Sequence, residues 1–383
     1  MGMSLLSAFL PIFAKKLDPS EVLIGLVSSA WYIPRLFTEM PSGMLSDRFG
    51  RRRLLVIGLG LSAIGAFICL SANTIQVLIL GRAIWGLGAS FFFMSSSALI
   101  FDLFKSSRRG RALGTFQAIE FIGSLIGAPI GSFMASAFGY KEVFFLSSLL
   151  ILSSFLISIV SRGLRMVHAE NPKRAETSYF SEVLPSFKRR GLTVVYSYSF
   201  SRMLITAGIS GTVFPLYVNF NLGIPVELIG VIVSIRTLGI IIATLISGYV
   251  SDIFGRKPVV ILGTAFQSIC LYAYTATSSY EGLLAIGFFE GLSRGMLLTS
   301  IMVLLSDFAP PRSRGAAIGI YRTFMDIGGL TGPILFIILF DKMGASFTFI
   351  SAMLVLLLNL ALMLTVRTPR NLGEKGFSET KLS

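Results

Sequence analysis

Long apolar runs alternate with short polar turns along nearly the whole chain. A helix that crosses lipid needs about 20 apolar residues. By that measure the pattern predicts eleven full spans: Glu21 to Ser46, Leu54 to Ser71, Ile75 to Phe104, Gly110 to Phe138, Val143 to Val160, Leu192 to Phe220, Glu227 to Val250, Val259 to Thr277, Gly282 to Phe308, Gly315 to Phe340 and Phe347 to Val366. A polar stretch from Ser161 to Arg190, rich in Lys, Arg, Glu, Ser and Pro, divides them. Met1 to Ala14 is apolar but shorter than a span. It lacks the basic start and small-residue cleavage site of a signal peptide. FLPIFA at Phe9 resembles FPLYVN at Phe214, so the segment reads as the outer half of a first helix, truncated as given.

The same pattern is written twice. GMLSDRFGRRRLLVIG at Gly43 returns as GYVSDIFGRKPVVILG at Gly248. A shift of 205 residues aligns Asp47 with Asp252, Gly50 with Gly255, Arg51 with Arg256, Gly86 with Gly291, Asp102 with Asp307, Gly127 with Gly332 and Gly139 with Gly344, without a gap. Shared Leu and Ile would mean little, but charged turn residues and glycines in one register mean a duplicated unit. The expected organisation is a six-helix bundle over 1–160, a linker over 161–191, a second bundle over 192–366 and a tail over 367–383. Six helices per half is even, so both halves enter from the same side as parallel repeats. The fold class is an all-α membrane protein.

Composition agrees. Of 383 residues, 54% are hydrophobic and 14% charged, where a soluble chain carries about a quarter charged. The net charge of +14 would suggest nucleic acid in a soluble protein, but here the basic residues sit in turns between apolar runs. Turns on the side of the repeated motif, with linker and tail, hold 23 Lys and Arg, against 4 on the other side. The positive-inside rule therefore places motifs, linker and C-terminus in the cytoplasm of a multi-pass cell-membrane protein. Cys69 and Cys270 lie within apolar runs, His168 lies in the linker, and no cluster has metal-ligand spacing. No phosphate-cradling motif is present. The reading needs no cofactor, no nucleic acid and no catalysis, and nothing in it asks for an oligomer.

Away from the span ends, six arginines and four acids fall in the membrane core: Arg35, Arg82, Arg202, Arg236, Arg294 and Arg322, with Glu39, Glu120, Glu290 and Asp326. Intramembrane charge is functional by default. At about 1.5 Å per residue, Glu120, Arg35, Arg202, Arg294 and Asp326 fall roughly 15–20 Å deep, near the midplane. Glu39 and Arg322 are shallower, and Arg236 and Glu290 deeper. Arg35 with Glu39, Glu290 with Arg294, and Arg322 with Asp326 have the i, i+4 spacing that allows pairing on one helix. Glu120 has no such neighbour. It is the first candidate for a proton-coupling acid, ahead of Asp326 and Glu39. Arg35, Arg202, Arg236, Arg294 and Arg322, with Glu290, are candidates to line a substrate cavity. The positive surplus favours an acidic substrate. At the motif face, Asp47, Arg51 and Asp102, and again Asp252, Arg256 and Asp307, are spaced to latch helix ends by paired charge. Gly50 serves the turn and Gly43 a close helix approach.

GMLSDRFGRR, through Gly43, Asp47, Arg48, Gly50, Arg51 and Arg52, resembles the cytoplasmic signature of the major facilitator superfamily. LILGRAIWGLGA from Leu78, with Arg82 as its basic residue, resembles the fourth-helix signature of drug–proton antiporters. GTFQAIEFIGSLIGAPIGS resembles their fifth-helix signature through Gly114, Gly123, Gly127 and Gly131, with Ala128 in place of the usual Pro, Pro129 one position late, and Ser132 in place of a final Gly. The resemblance implies two rocking bundles, and a charge relay at the first motif that stabilises an outward-open state. It also implies proton-coupled efflux of small amphipathic compounds. Uptake or exchange of a small organic anion is the alternative in transport, and a non-transporting receptor or scaffold the alternative outside it.

Overall fold

The computed structural model describes residues 1–39, 50–104, 106–161, 164, 189–310 and 314–366. The helices in chain order are α1 (Leu10–Leu17), α2 (Glu21–Ser29), α3 (32–39), α4 (Arg51–Leu70), α5 (Ile75–Leu103), α6 (Ser106–Ala137) and α7 (Tyr140–Val160). After them come α8 (Arg190–Ile205), α9 (Phe214–Leu216), α10 (Val226–Phe254), α11 (Arg256–Ala276), α12 (Tyr280–Phe308) and α13 (Arg314–Leu364). Among the described residues, nine stretches are long and apolar enough to cross a membrane. The ninth is α13, which holds two helices meeting at Gly344.

Two features depart from the expected spans. The first is interrupted at Ala30 and Trp31, where α2 gives way to α3. The span of α8 and α9 carries π-helical turns at Thr206–Val213 and Tyr217–Asn221. Most of the linker, including His168, and the tail over 367–383 lie outside the described residues.

The repeat holds at atomic detail. Gly50 and Gly255 take φ of 92° and 85°, and Gly139 and Gly344 take 113° and 79°; these are left-handed turns that a side chain would strain. A Cβ on Gly86 would lie 2.3 Å from the Trp31 carbonyl oxygen, and one on Gly291 would lie 2.0 Å from the Arg236 carbonyl oxygen. Trp31 and Arg236 are themselves 205 positions apart. In both halves, then, a bare glycine lets one helix lie directly on a neighbour's backbone.

Within the first half, α4 packs on α5 and α7, and the first residues of the chain lie on α6. Gly123, Gly127 and Gly131 form the seat for that segment, with Met1, Ser4 and Leu5 against them. The halves meet where α6 packs on α10 and where α2 packs on α13. These contacts crowd toward the face opposite the motifs, called here the far face. Ser29 Oγ donates to the Leu330 carbonyl at 2.6 Å, and Ser234 Oγ donates to the Leu125 carbonyl. Ser132, the departure from the fifth-helix signature, fills the space left by Gly230 on α10. One apolar core joins both halves there, with Leu5, Phe9, Ile24, Phe144, Phe214 and Phe336 enclosed. Toward the motif face the described helices part. Gly114 and Gly248 have nothing within 4 Å, and Phe37, Leu245 and Tyr249 are exposed.

The packing predicts that Gly291→Ala and Gly86→Ala cost about 1–3 kcal/mol of stability through overpacking and so lower the thermal unfolding midpoint in detergent. Gly114→Ala, with open space around it, should leave the midpoint unchanged or raise it.

Candidate functional site

At the motif face, Arg51 opens α4 and bonds to Asp102 near the end of α5. Arg256 opens α11 and bonds to Asp307 near the end of α12. The two pairs occupy equivalent positions in the two halves. Gly43, Asp47 and the side chain of Asp252, expected in the same networks, lie outside the described residues.

The midplane holds a trio that joins the halves. Arg35 on α3 bonds to Glu39 one turn along, and its Nε lies 3.3 Å from Asp326 Oδ1 on α13. All three are buried: Arg35 is 8%, Glu39 8% and Asp326 1% exposed. The i, i+4 reading paired Asp326 with Arg322, and the structure corrects it. Asp326 turns toward the other half, where it meets Arg35 and also the Glu39 carboxyl. Asp326 Oδ2 is buried with no hydrogen-bond donor. Two carboxyl groups thus share one guanidinium in a medium where surplus charge is costly. One proton makes the trio neutral.

A second charged cluster belongs to the second half alone. Glu290 is fully buried and accepts from Tyr274 Oη and Ser210 Oγ, each at 2.8 Å. Arg236 Nε lies 2.8 Å from it and Arg294 3.6 Å. Arg236 also stands over the Phe214 ring at 4.7 Å. Arg236 and Glu290, expected to line the cavity, are instead enclosed by packing; Arg294, half-buried, reaches Thr206 Oγ1 at 3.1 Å. The repeat explains the arrangement. Arg236 and Glu290 align with Trp31 and Trp85, which meet edge to face at 6.2 Å. One half fills this helix contact with an aromatic pair, and the other with an ion pair.

The remaining charges have weaker company. Arg82 is 5% exposed, lies 5.1 Å and 5.8 Å from the Trp31 and Trp85 ring centres, and has no ion pair among the described residues. Arg202 donates to Met325 Sδ at 3.2 Å, and Arg322 donates across to Met94 Sδ at 3.1 Å. Both are half-buried. Glu120 is exposed and forms no ion pair among the described residues; the Met1 amino group and Arg35 are its electrostatic neighbours. The thioether partners were not foreseen from sequence, because methionine carries no charge signal.

Two duplicated helical units that seal at one face, part at the other and hold buried charge between them define a membrane carrier of the alternating-access class. A family model described as Major Facilitator Superfamily matches residues 1–209 and again 198–382. The chain belongs to that superfamily. Among characterised proteins, it is 25% identical to Multidrug resistance protein 2 of Bacillus subtilis over 379 residues, 97% of this chain and 93% of that protein. Quinolone resistance protein NorA of Staphylococcus aureus is 25% identical over 348 residues, 89% of this chain and 87% of NorA. Multidrug resistance protein 1 of Bacillus subtilis is 24% identical over 376 residues, covering 97% and 94%.

Breaking the second cluster one-sidedly is expected to be costly. Glu290→Gln leaves Arg236 and Arg294 buried without a counter-ion and should destabilise the protein by about 3–5 kcal/mol. Adding Arg236→Met should recover part of that loss. Detergent unfolding of the single and double variants measures both.

Proposed function

We propose that this protein exports small amphipathic organic compounds across the cell membrane in exchange for protons. In this reading the motif face, the linker and the C-terminus lie in the cytoplasm, as the distribution of basic residues favours. The structure then corresponds to an inward-open state, sealed outside. The relatives named for multidrug and quinolone resistance support efflux as the direction. The role we assign is transport, not catalysis, and the sequence gives no reason to invoke an oligomer.

The observation that carries the coupling is the trio. Asp326 has an oxygen with no donor, the Glu39 carboxyl lies beside it, and a single guanidinium serves both. With both acids ionised, Arg35 is tied to each half. With a proton on Asp326, Arg35 keeps its partner on its own helix and the tie between halves weakens. Proton occupancy thereby biases the two halves toward separation at midplane, which is where alternating access must act. Glu120, exposed in the opening, is positioned to relay protons to water rather than to hold the halves.

The test is proton movement in proteoliposomes under an imposed pH gradient. Asp326→Asn and Glu39→Gln should each abolish substrate-driven proton flux while leaving counterflow exchange of substrate intact. Retention of normal flux in both, with loss in Glu120→Gln, would move the coupling site to α6. For the motif-face pairs we assign a gating role. Asp102→Asn and Asp307→Asn should slow turnover by about tenfold, equivalent to about 1.4 kcal/mol, with substrate affinity little changed.

A further inference from the structure

Most intramembrane arginines here are accounted for. Arg35 has two carboxyl partners, Arg236 and Arg294 share Glu290, and Arg82 lies against two indole rings. Arg202 and Arg322 are different. Each aims a terminal nitrogen at a methionine sulfur, Met325 and Met94 respectively. A thioether is a weak acceptor and carries no charge. Arg202 Nε is buried with no partner at all. Both side chains are half-buried, so they are partly desolvated yet keep some accessible surface.

The surroundings suit an acidic ligand with an apolar body. Met94, Met203 and Met325 are flexible and polarisable, able to repack around different shapes. Tyr32 adds an aromatic face, its hydroxyl 4.0 Å from Met203 Sδ. The acid left without an ion pair, Glu120, bonds neither arginine. On the motif face, Arg108 and Arg111 border a recess of about 390 Å³ with Ile100, Phe104 and Thr115, both arginines exposed. A positive rim on the side from which the cavity is reached raises the local concentration of anions.

We propose that the transported compounds carry an acidic group, and that Arg202 and Arg322 bind it by displacing from Met325 and Met94. The guanidinium fork matches a carboxylate or sulfonate oxygen pair, and charge-assisted bonds of this kind are about twice as strong as neutral ones. Arg202 comes from α8 and Arg322 from α13, while Met94 belongs to the other half. Transfer of Arg322 from Met94 to the ligand therefore also releases a contact between halves. This inference rests on the transport reading and narrows its substrate class to amphipathic organic anions and zwitterions.

The experiment is binding of three matched probes to the purified full chain by titration calorimetry: 2-naphthoate, its methyl ester, and 2-naphthylmethylammonium. The naphthoate should bind at least about tenfold tighter than the other two, a difference of about 1.4 kcal/mol. Arg202→Gln and Arg322→Gln should each erase that preference. Arg202→Lys and Arg322→Lys should keep part of it, which separates lost charge from lost folding. Met94→Leu with Met325→Leu should preserve or tighten naphthoate binding, because the competing sulfurs are gone. Equal binding of the cation, or naphthoate affinity unchanged in both Gln variants, would overturn the proposal. Binding needs no gradient, so anion selectivity without coupled proton flux would count against the export reading and leave this one standing.

Discussion

Ionised groups in hydrocarbon are expensive unless something answers them, and that constraint orders this structure. Each buried acid sits where a guanidinium can reach it. Glu290 is answered within one half, by Arg236, Arg294, Tyr274 and Ser210. Asp326 is answered from the other half, by Arg35. The first arrangement makes a bundle rigid. The second makes the relation between bundles depend on charge. Both are stable ways of burying a carboxylate, but only the second gives way when the two halves move.

The duplicated halves show how such a division arises on one scaffold. Equivalent helix contacts are kept through glycines that meet equivalent carbonyls, at Gly86 on Trp31 and Gly291 on Arg236. The side chains over those contacts have diverged completely. Trp31 and Trp85 meet edge to face in one half, and Arg236 and Glu290 pair in the other. At these contacts the duplication kept the backbone geometry and not the side-chain chemistry, whereas the motif-face pairs kept both. Glu120 aligns with Met325 and Asp326 with Phe121, so no midplane acid has a counterpart.

This difference explains what was legible in the sequence. Spans, turn glycines and the register of the repeat follow from local pattern, and the described helices agree with them apart from the break at Trp31 and the π turns. The pairs Arg51 with Asp102 and Arg256 with Asp307 were readable because they recur in register. The partner of Asp326 was not. Helical spacing sees neighbours on one helix, while Arg35 approaches from 291 residues away, in the other half. The break at Trp31 lies one turn before Pro34, which has no N–H for the Ala30 carbonyl, and the π turns after Ile205 run through Gly208 and Gly211 to Pro215; hydropathy alone passes over both. Arg202 and Arg322 were recognisable as intramembrane charges, but their reliance on sulfur became visible only in three dimensions.

The far-face seam completes the argument. Across it, the hydrogen bonds among the described residues include single hydroxyl bonds to backbone carbonyls, Ser29 to Leu330, Ser234 to Leu125, and Ser132 to Glu227 at 3.4 Å, and Lys15 stands 5.0 Å over the Phe220 ring. Each hydroxyl bond is neutral, with a net worth of about 1 kcal/mol, and each carbonyl belongs to a helix that retains its own ladder. Opening this face therefore strands no charge and unfolds no helix. Deeper in, the tie between Arg35 and Asp326 is strong while both are ionised and weak once the acid is neutral. In the proposed coupling, a seam held by apolar packing and neutral bonds lies above a lock whose strength follows one proton, and rigid halves turn the change at the lock into movement at the seam.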